Sequence, residues 1–263
     1  MSHNYRRILE KLTIQNWRKL YKLKTKKKNN KLSNKLPKIL LMLCIISISA
    51  ISCKDDKSAK TNATIENKVE TKSIETSKIS NEKVILFYGN SLTAGYGLEP
   101  SESFPSNIED IIDSLDLPYK VVNAGLSGET TSGGLKRLDW VMKQNVDIFI
   151  LELGANDMLR GLPIEETRKN LAAIISSVKA KNPNVKIGLC EMMAPPNMGD
   201  DYVKEFSKIY KDLSAPDNIV YFPFFLNGVI ENPDLMLKDG KHPNADGQKI
   251  VAANIWAVLK DML

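Results

Sequence analysis

Apolar and polar positions along this chain follow one pattern before about residue 83 and another after it. In the later part, short β-prone apolar runs are separated by longer stretches whose apolar residues recur at helical spacing. The runs Val84–Tyr88, Tyr119–Val122, Val146–Leu153, Val185–Cys190 and Ile219–Phe222 read as five strands. Val146–Leu153 is apolar throughout except for Asp147 and Glu152, as a parallel strand covered on both faces should be. Between the strands, Phe104–Leu117 brings Ile108, Ile111, Ile112 and Leu115 to one side, and Thr131–Lys143 does the same with Leu135, Leu138 and Met142. Ile164–Lys181, Met198–Leu213 and Asp246–Met262 complete the predicted helices. Strands alternating with helices make βαβ units. They predict an α/β fold, a three-layer α/β/α sandwich around a five-stranded parallel sheet. In such sheets sites gather beyond the carboxyl ends of the strands, so a functional motif should fall just after a strand.

The first part of the chain is patterned as export machinery. Residues 1–38 hold 13 of the 37 Lys+Arg but only one of the 31 Asp+Glu, and residues 39–52 carry no charge. The apolar run Ile39–Ile51 is short for a membrane span and suits the core of a signal peptide. It ends in Ser49-Ala50-Ile51-Ser52-Cys53, which is similar to a bacterial lipobox, with Ala50 where Leu is more usual. In a lipobox the Cys becomes the lipidated first residue of the mature protein. An uncleaved amphiphilic anchor is the competing reading. Residues 54–82 are rich in Lys, Glu, Ser, Thr and Asn and poor in large apolar side chains, so a flexible tether is expected. The expected organisation is a signal peptide with a long basic leader over 1–52, lipidated Cys53 and tether over 53–82, and a folded domain over 83–263. The protein would then sit in a bacterial cell envelope, joined to a membrane through the lipid on Cys53.

This division changes the meaning of the charge. The whole chain is formally +6, yet from Cys53 onward it carries 24 basic and 30 acidic residues, a net of −6. The folded part is mildly acidic, which argues against nucleic acid as a partner. Of the three cysteines, Cys44 lies in the signal core and Cys53 is the lipid acceptor, which leaves Cys190 alone. No intramolecular disulfide is expected, and Cys190 reads as a buried small residue at a strand end.

Four motifs follow the strands. Gly89-Asn90-Ser91-Leu92-Thr93 comes directly after the first, where a serine can face solvent with backbone N–H groups close by. Thr93 replaces the second Gly of a Gly-x-Ser-x-Gly elbow, and a turn with a capping Ser is the commoner explanation. Gly125-Leu126-Ser127-Gly128 after the second strand permits close approach to a ligand, or simply leads to a helix capped by Thr130 or Thr131. Gly154-Ala155-Asn156-Asp157 after the third offers an amide donor for an oxyanion, or an Asx-turn. The last motif is Asp239-Gly240-Lys241-His242. The chain has two histidines, and His3 lies in the leader, so His242 is the one candidate base for a serine nucleophile. Asp239 is three residues away and can reach its ring. A lone histidine is more often an ordinary residue, and ligation of a metal by it stays open, although no Cys/His cluster points to zinc.

Taken together and in this order, the motifs resemble the SGNH (GDSL-type) hydrolase family, whose four blocks supply a Ser, a Gly, an Asn and a His. Within it the chain looks most like the bacterial thioesterase, lysophospholipase and arylesterase branch. The supporting stretches are residues 91–97, 121–124, 128–130, 151–154 with Asn156-Asp157, 159–161 and 239–244. The resemblance implies a flavodoxin-like sheet and a serine esterase acting on carboxylic or thio-esters, its substrate a small-molecule ester or a lipid. Ser91 would be the nucleophile, His242 the general base and then acid, and Asp239 its orienting carboxylate. The Ser91 and Gly128 N–H groups and the Asn156 side chain would form the oxyanion hole. No metal or organic cofactor is implied, and a monomer is expected. The family's Gly-Asp-Ser-Leu reads Gly-Asn-Ser-Leu here, with Asn90 in the Asp place. Two other readings remain beside the esterase: a carbohydrate acetyl esterase, and a catalytically silent binding module that keeps the fold. Met192, Met193 and Met198 after the fourth strand read equally well as an acyl-pocket wall or as core.

Overall fold

The computed structural model of the protein describes residues 82–215 and 218–263. The basic leader, Cys53 and the tether lie outside the described residues. The five apolar runs form strands β1 (Lys83–Gly89), β2 (Tyr119–Gly125), β3 (Ile148–Glu152), β4 (Lys186–Cys190) and β5 (Ile219–Phe222). All pair in parallel, in the order β2-β1-β3-β4-β5. The first two strands thus build one side of the sheet and the last three the other. The chain reverses direction across the sheet between β1 and β3, the place where α/β folds open a crevice at the carboxyl ends of their strands.

Strand ends shift from the apolar pattern for identifiable reasons. β2 runs on to Gly125, because Asn123, Ala124 and Gly125 still pair with Phe87, Tyr88 and Gly89. β3 starts at Ile148, since the Asp147 carboxylate leaves the apolar pattern to accept the Val84 N–H at 2.7 Å.

Seven helices accompany the strands among the described residues: α1 (Ser91–Ala94), α2 (Phe104–Ser114), α3 (Thr131–Val141), α4 (Ala155–Leu159), α5 (Ile164–Lys181), α6 (Asp200–Leu213) and α7 (Ala245–Leu259). α2 packs against α7, and α3 against α5 and α5 against α6, forming the two outer layers. The apolar stripes face inward as their spacing requires: Ile108 and Ile112, Leu171, Ile174 and Val178, Phe206, Ile209 and Tyr210, and Val251, Ile255 and Leu259 are all buried. Each such side chain contributes roughly 1.5–3 kcal/mol by leaving water. α6 begins at Asp200 because Pro196, Asn197 and Met198 form a separate 3₁₀ turn, and Asp200 and Asp201 then favour a helix start. α1 and α4 were not foreseen, since four or five residues carry no readable period. Cys190 is buried and free at the end of β4. Of the methionines after β4, Met192 is core while Met193 is exposed. Among the described residues no helix is long and apolar enough to cross a membrane.

Candidate active site

The first component is the turn that carries Ser91. β1 ends at Gly89, and Asn90 caps α1, its Oδ1 accepting the Leu92 N–H at 2.9 Å. Ser91 is therefore the first helical residue, half-buried, on the carboxyl edge of a central strand. β2 passes close beneath this turn. A Cβ on Gly125 would stand 2.2 Å from the Ala94 nitrogen, so only glycine lets the two backbones approach.

The second component arrives from the far end of the chain. Residues 236–243 form a tight turn closed by an antiparallel bridge between Met236 and Pro243. Inside it the Leu237 N–H donates to the His242 carbonyl at 2.7 Å, and Gly240 supplies the left-handed φ of +65°. Asn244 then caps α7, accepting from the Asp246 and Gly247 N–H groups. This geometry brings His242 Nε2 to 2.8 Å from Ser91 Oγ, and His242 Nδ1 to 2.6 Å from Asp239 Oδ2. The other Asp239 oxygen accepts the Lys241 and His242 backbone N–H groups at 2.9 and 3.1 Å. The hydrogen bond with the His242 ring, helped by the Lys241 N–H, holds the Asp239 carboxyl down at about 2. It is a carboxylate at neutral pH. It therefore selects the imidazole tautomer with the proton on Nδ1, which leaves Nε2 free to accept from the Ser91 hydroxyl. The Tyr96 ring lies 4.5 Å from the His242 ring, inclined at 36°.

The third component is the loop between β2 and α3. Two residues of α4 and its end tie this loop down: the Asn156 amide donates to the Glu129 carbonyl at 3.0 Å, and Arg160 donates to the Gly128 carbonyl at 2.7 Å. Glu129 is buried and takes a two-point ion pair from Arg137, at 2.6 and 2.5 Å. The same guanidinium lies 4.2 Å over the Tyr88 ring and donates to the Ala124 carbonyl. Asp157, also buried, accepts the Thr131 N–H and hydroxyl at 2.8 and 2.5 Å. Thr130, one of the two expected caps, is the one that caps α3. With these ties in place, neither the Ser91 nor the Gly128 N–H takes an acceptor among the described residues. An amide nitrogen carries two hydrogens, and Glu129 occupies one of those on Asn156.

Beneath the Ser91 turn stands a residue that the sequence shows as a charge inside an apolar strand, within a stretch that carries the resemblance but with no role given to it. Glu152, at the end of β3, is fully buried. Its carboxyl accepts the Asn90 N–H at 3.1 Å, Asn90 Nδ2 at 2.6 Å and the Thr93 hydroxyl at 2.7 Å. Burial pushes it up to about 7, against the lowering effect of the Thr93 and Asn90 hydrogen bonds. Sequence reasoning passed over Arg137 and gave no role to Asp157 or Tyr96, although these two lie within the stretches that carry the resemblance. A charge in a strand buried on both faces is rarely left without partners, and that rule marks Glu152 for a polar site at the strand's end.

The structure thus joins Ser91, His242 and Asp239 in one hydrogen-bonded chain and sets Asn156 against the Gly128 loop. Cys53 lies outside the described residues. Among the described residues, no three His, Cys, Asp or Glu side chains are grouped to hold a metal ion. A hydroxyl bonded to an imidazole bonded to a carboxylate is the arrangement that removes a proton from an alcohol as it attacks a carbonyl.

Known proteins carry the same fold. The sequence model of the GDSL-like lipase/acylhydrolase family matches residues 87–250, a stretch that includes every residue from Ser91 to His242. Esterase TesA of Pseudomonas aeruginosa is 34% identical over 182 residues, 69% of this chain and 90% of its own. Thioesterase 1/protease 1/lysophospholipase L1 of Escherichia coli K12 is 38% identical over 169 residues, 64% of this chain and 79% of its own. The crystal structure of the psychrotrophic esterase EstA from Pseudoalteromonas sp. superposes with a TM-score of 0.65 at 33% identity, covering 69% of this chain and 98% of that one. The chain belongs to the GDSL-like lipase/acylhydrolase family and is a serine hydrolase acting on ester bonds.

Proposed function

We propose that Ser91 is the nucleophile, His242 the base and Asp239 its orienting carboxylate in the hydrolysis of esters or thioesters with an apolar acyl or aryl group. The observation that carries this reading is the chain of 2.8 and 2.6 Å contacts from Ser91 through His242 to Asp239, made by residues 151 positions apart. As Ser91 Oγ bonds to the carbonyl carbon, its proton passes to His242 Nε2, and the carbonyl oxygen gains negative charge. The Ser91 and Gly128 N–H groups and the Asn156 amide would receive that charge, each such donor being worth roughly 3–4 kcal/mol in comparable enzymes. His242 then gives its proton to the departing alkoxide or thiolate, and water repeats the sequence to release the acid.

The substrate class follows from the rim. Tyr96, Leu126, Leu159 and Met193 all come after strand ends on the same edge of the sheet, and all are about half exposed or more. Exposed apolar side chains beyond four strand ends suit an apolar chain or ring better than an acetylated glycan. The leader pattern adds that Cys53 carries a lipid that keeps the domain at a bacterial envelope membrane. The test is hydrolysis of p-nitrophenyl esters from acetyl to palmitoyl by the purified protein and by Ser91→Ala. Activity lost in the variant and best on butyryl or longer chains supports the reading. An acetyl optimum would favour the glycan esterase instead, and activity kept by the variant would remove Ser91 from the mechanism.

A further inference from the structure

Asn90 does two jobs at once. Its Oδ1 must face Leu92, whose N–H it accepts, so its Nδ2 must face Glu152. Turning the amide over would set a donor against Leu92 and an acceptor against a carboxylate. The side chain is therefore fixed from both ends, between the helix turn that begins with Ser91 and a buried group on β3. Glu152 stands opposite Gly89 in the sheet, and a Cβ there would lie 2.5 Å from its Oε2. The absence of a side chain on Gly89 lets the carboxyl reach across the end of β1. The other titratable groups that face Glu152 are Cys190 on β4 and Tyr210 on α6. Both are buried, and burial first and the Glu152 charge second keep both protonated. Among the described residues no ion pair engages Glu152. Hydrogen bonds from Asn90 and Thr93 hold it.

We propose that Asn90 and Glu152 form a positioning pair that fixes the Ser91 turn, and that an amide at position 90 makes this hold insensitive to pH. The proposal rests on Ser91 as the nucleophile. When Glu152 is ionised, Asn90 Nδ2 donates to Oε1. When it is protonated on Oε2, the proton turns toward the Thr93 hydroxyl, which rotates to accept, and the Asn90 bond to Oε1 stays. An aspartate at position 90 would keep the Leu92 cap through one oxygen. Its other oxygen would stand where Nδ2 now is, 2.6 Å from Glu152 Oε1. Two buried carboxyls at that separation hold together only by sharing a proton, and they repel once it is lost.

Asn90→Asp is accordingly expected to match the parent enzyme in kcat to within about threefold at pH 6. By pH 9 it should fall about tenfold below it, the scale of loss for a slightly misplaced nucleophile, with KM within about twofold. Adding Glu152→Gln to Asn90→Asp replaces the shared proton by an amide donor, and should remove the alkaline loss. A purely structural weakening would not be rescued in this way. If Asn90→Asp is too poorly folded for kinetics, its melting temperature against pH carries the test. Its deficit relative to the parent should widen between pH 6 and 9. A kcat ratio or a melting deficit that does not change with pH, or an alkaline loss that persists in the double variant, would overturn the proposal. Fluorophosphonate labelling of the parent, absent in Ser91→Ala, checks the nucleophile separately, so failure of that assignment is distinguished from failure of the pair.

Discussion

Asp239 and Glu152 support the same short turn of chain from opposite sides, one near solvent and one in the core. Asp239 is about a third exposed and reaches Ser91 through an imidazole. Glu152 is fully buried and reaches it through an amide. Their acidities move apart for that reason. Hydrogen bonding to the charged form dominates at Asp239 and holds it at about 2, while loss of water dominates at Glu152 and lifts it to about 7. Three hydrogen bonds do not offset complete burial at Glu152. Asp239 keeps contact with water, so its desolvation costs less and a similar number of hydrogen bonds prevails. The proposed relay would thus move a proton and the proposed anchor hold a shape.

On this division, damage to the relay should remove rate and spare the fold, whereas damage to the anchor should lower stability and cost rate no more than the roughly tenfold expected of Asn90→Asp. The largest expected effect is on Ser91→Ala, whose kcat should fall by about 10⁶ with an unchanged melting temperature, measured on a p-nitrophenyl ester. Asp239→Asn comes next, with a loss on the order of 10³ to 10⁴ because an amide cannot hold the Nδ1–H tautomer. A cooperative fold lost in that variant, seen by circular dichroism, would break the comparison. Glu152 then governs stability against pH. Its folded form binds a proton more tightly than its unfolded form, so stability is greatest below the ordinary value of 4.5 and declines as pH rises through about 7. Asp239 has the opposite sign, its contribution being present above 3.8 and lost as pH falls toward 2. Thermal melts should therefore show a decline between pH 4.5 and 7 that Glu152→Gln flattens and Asp239→Asn leaves in place. The smallest effect belongs to Tyr96→Ala. Its ring contact with His242 is worth roughly 0.5–1.5 kcal/mol, so kcat/KM should drop by no more than about tenfold with no change in melting.

How much of this was legible in the sequence depended on how far the cause lay from the residue. The five strands could be read because their apolar runs reflect burial of each residue itself, as Ile85–Phe87 and Phe149–Leu151 show. Ser91, Gly128, Asn156, Asp239 and His242 could be picked out because each follows or precedes an element at a recognisable place, and the resemblance ordered them. Glu152 could not be assigned a purpose. It reads as a lapse in an apolar strand until the sheet places β3 beside β1 and its carboxyl under Asn90. Arg137 was equally silent, since its partner Glu129 and the Tyr88 ring meet it only in the folded chain. α1 and α4 escaped notice because they are set by capping and by neighbours, not by a period of their own.

The turn that carries Asp239 and His242 lies between the sheet and the final helix, 151 residues beyond Ser91. A growing chain therefore holds Ser91 long before it holds His242, the base proposed for it. In the folded domain the helix that follows His242 is tied to an early part of the chain: α7 packs against α2, and Gln248 on α7 accepts the Phe104 N–H. On the proposed mechanism a chain that lacks this last segment is expected to be inactive, so hydrolytic activity would report a completed domain.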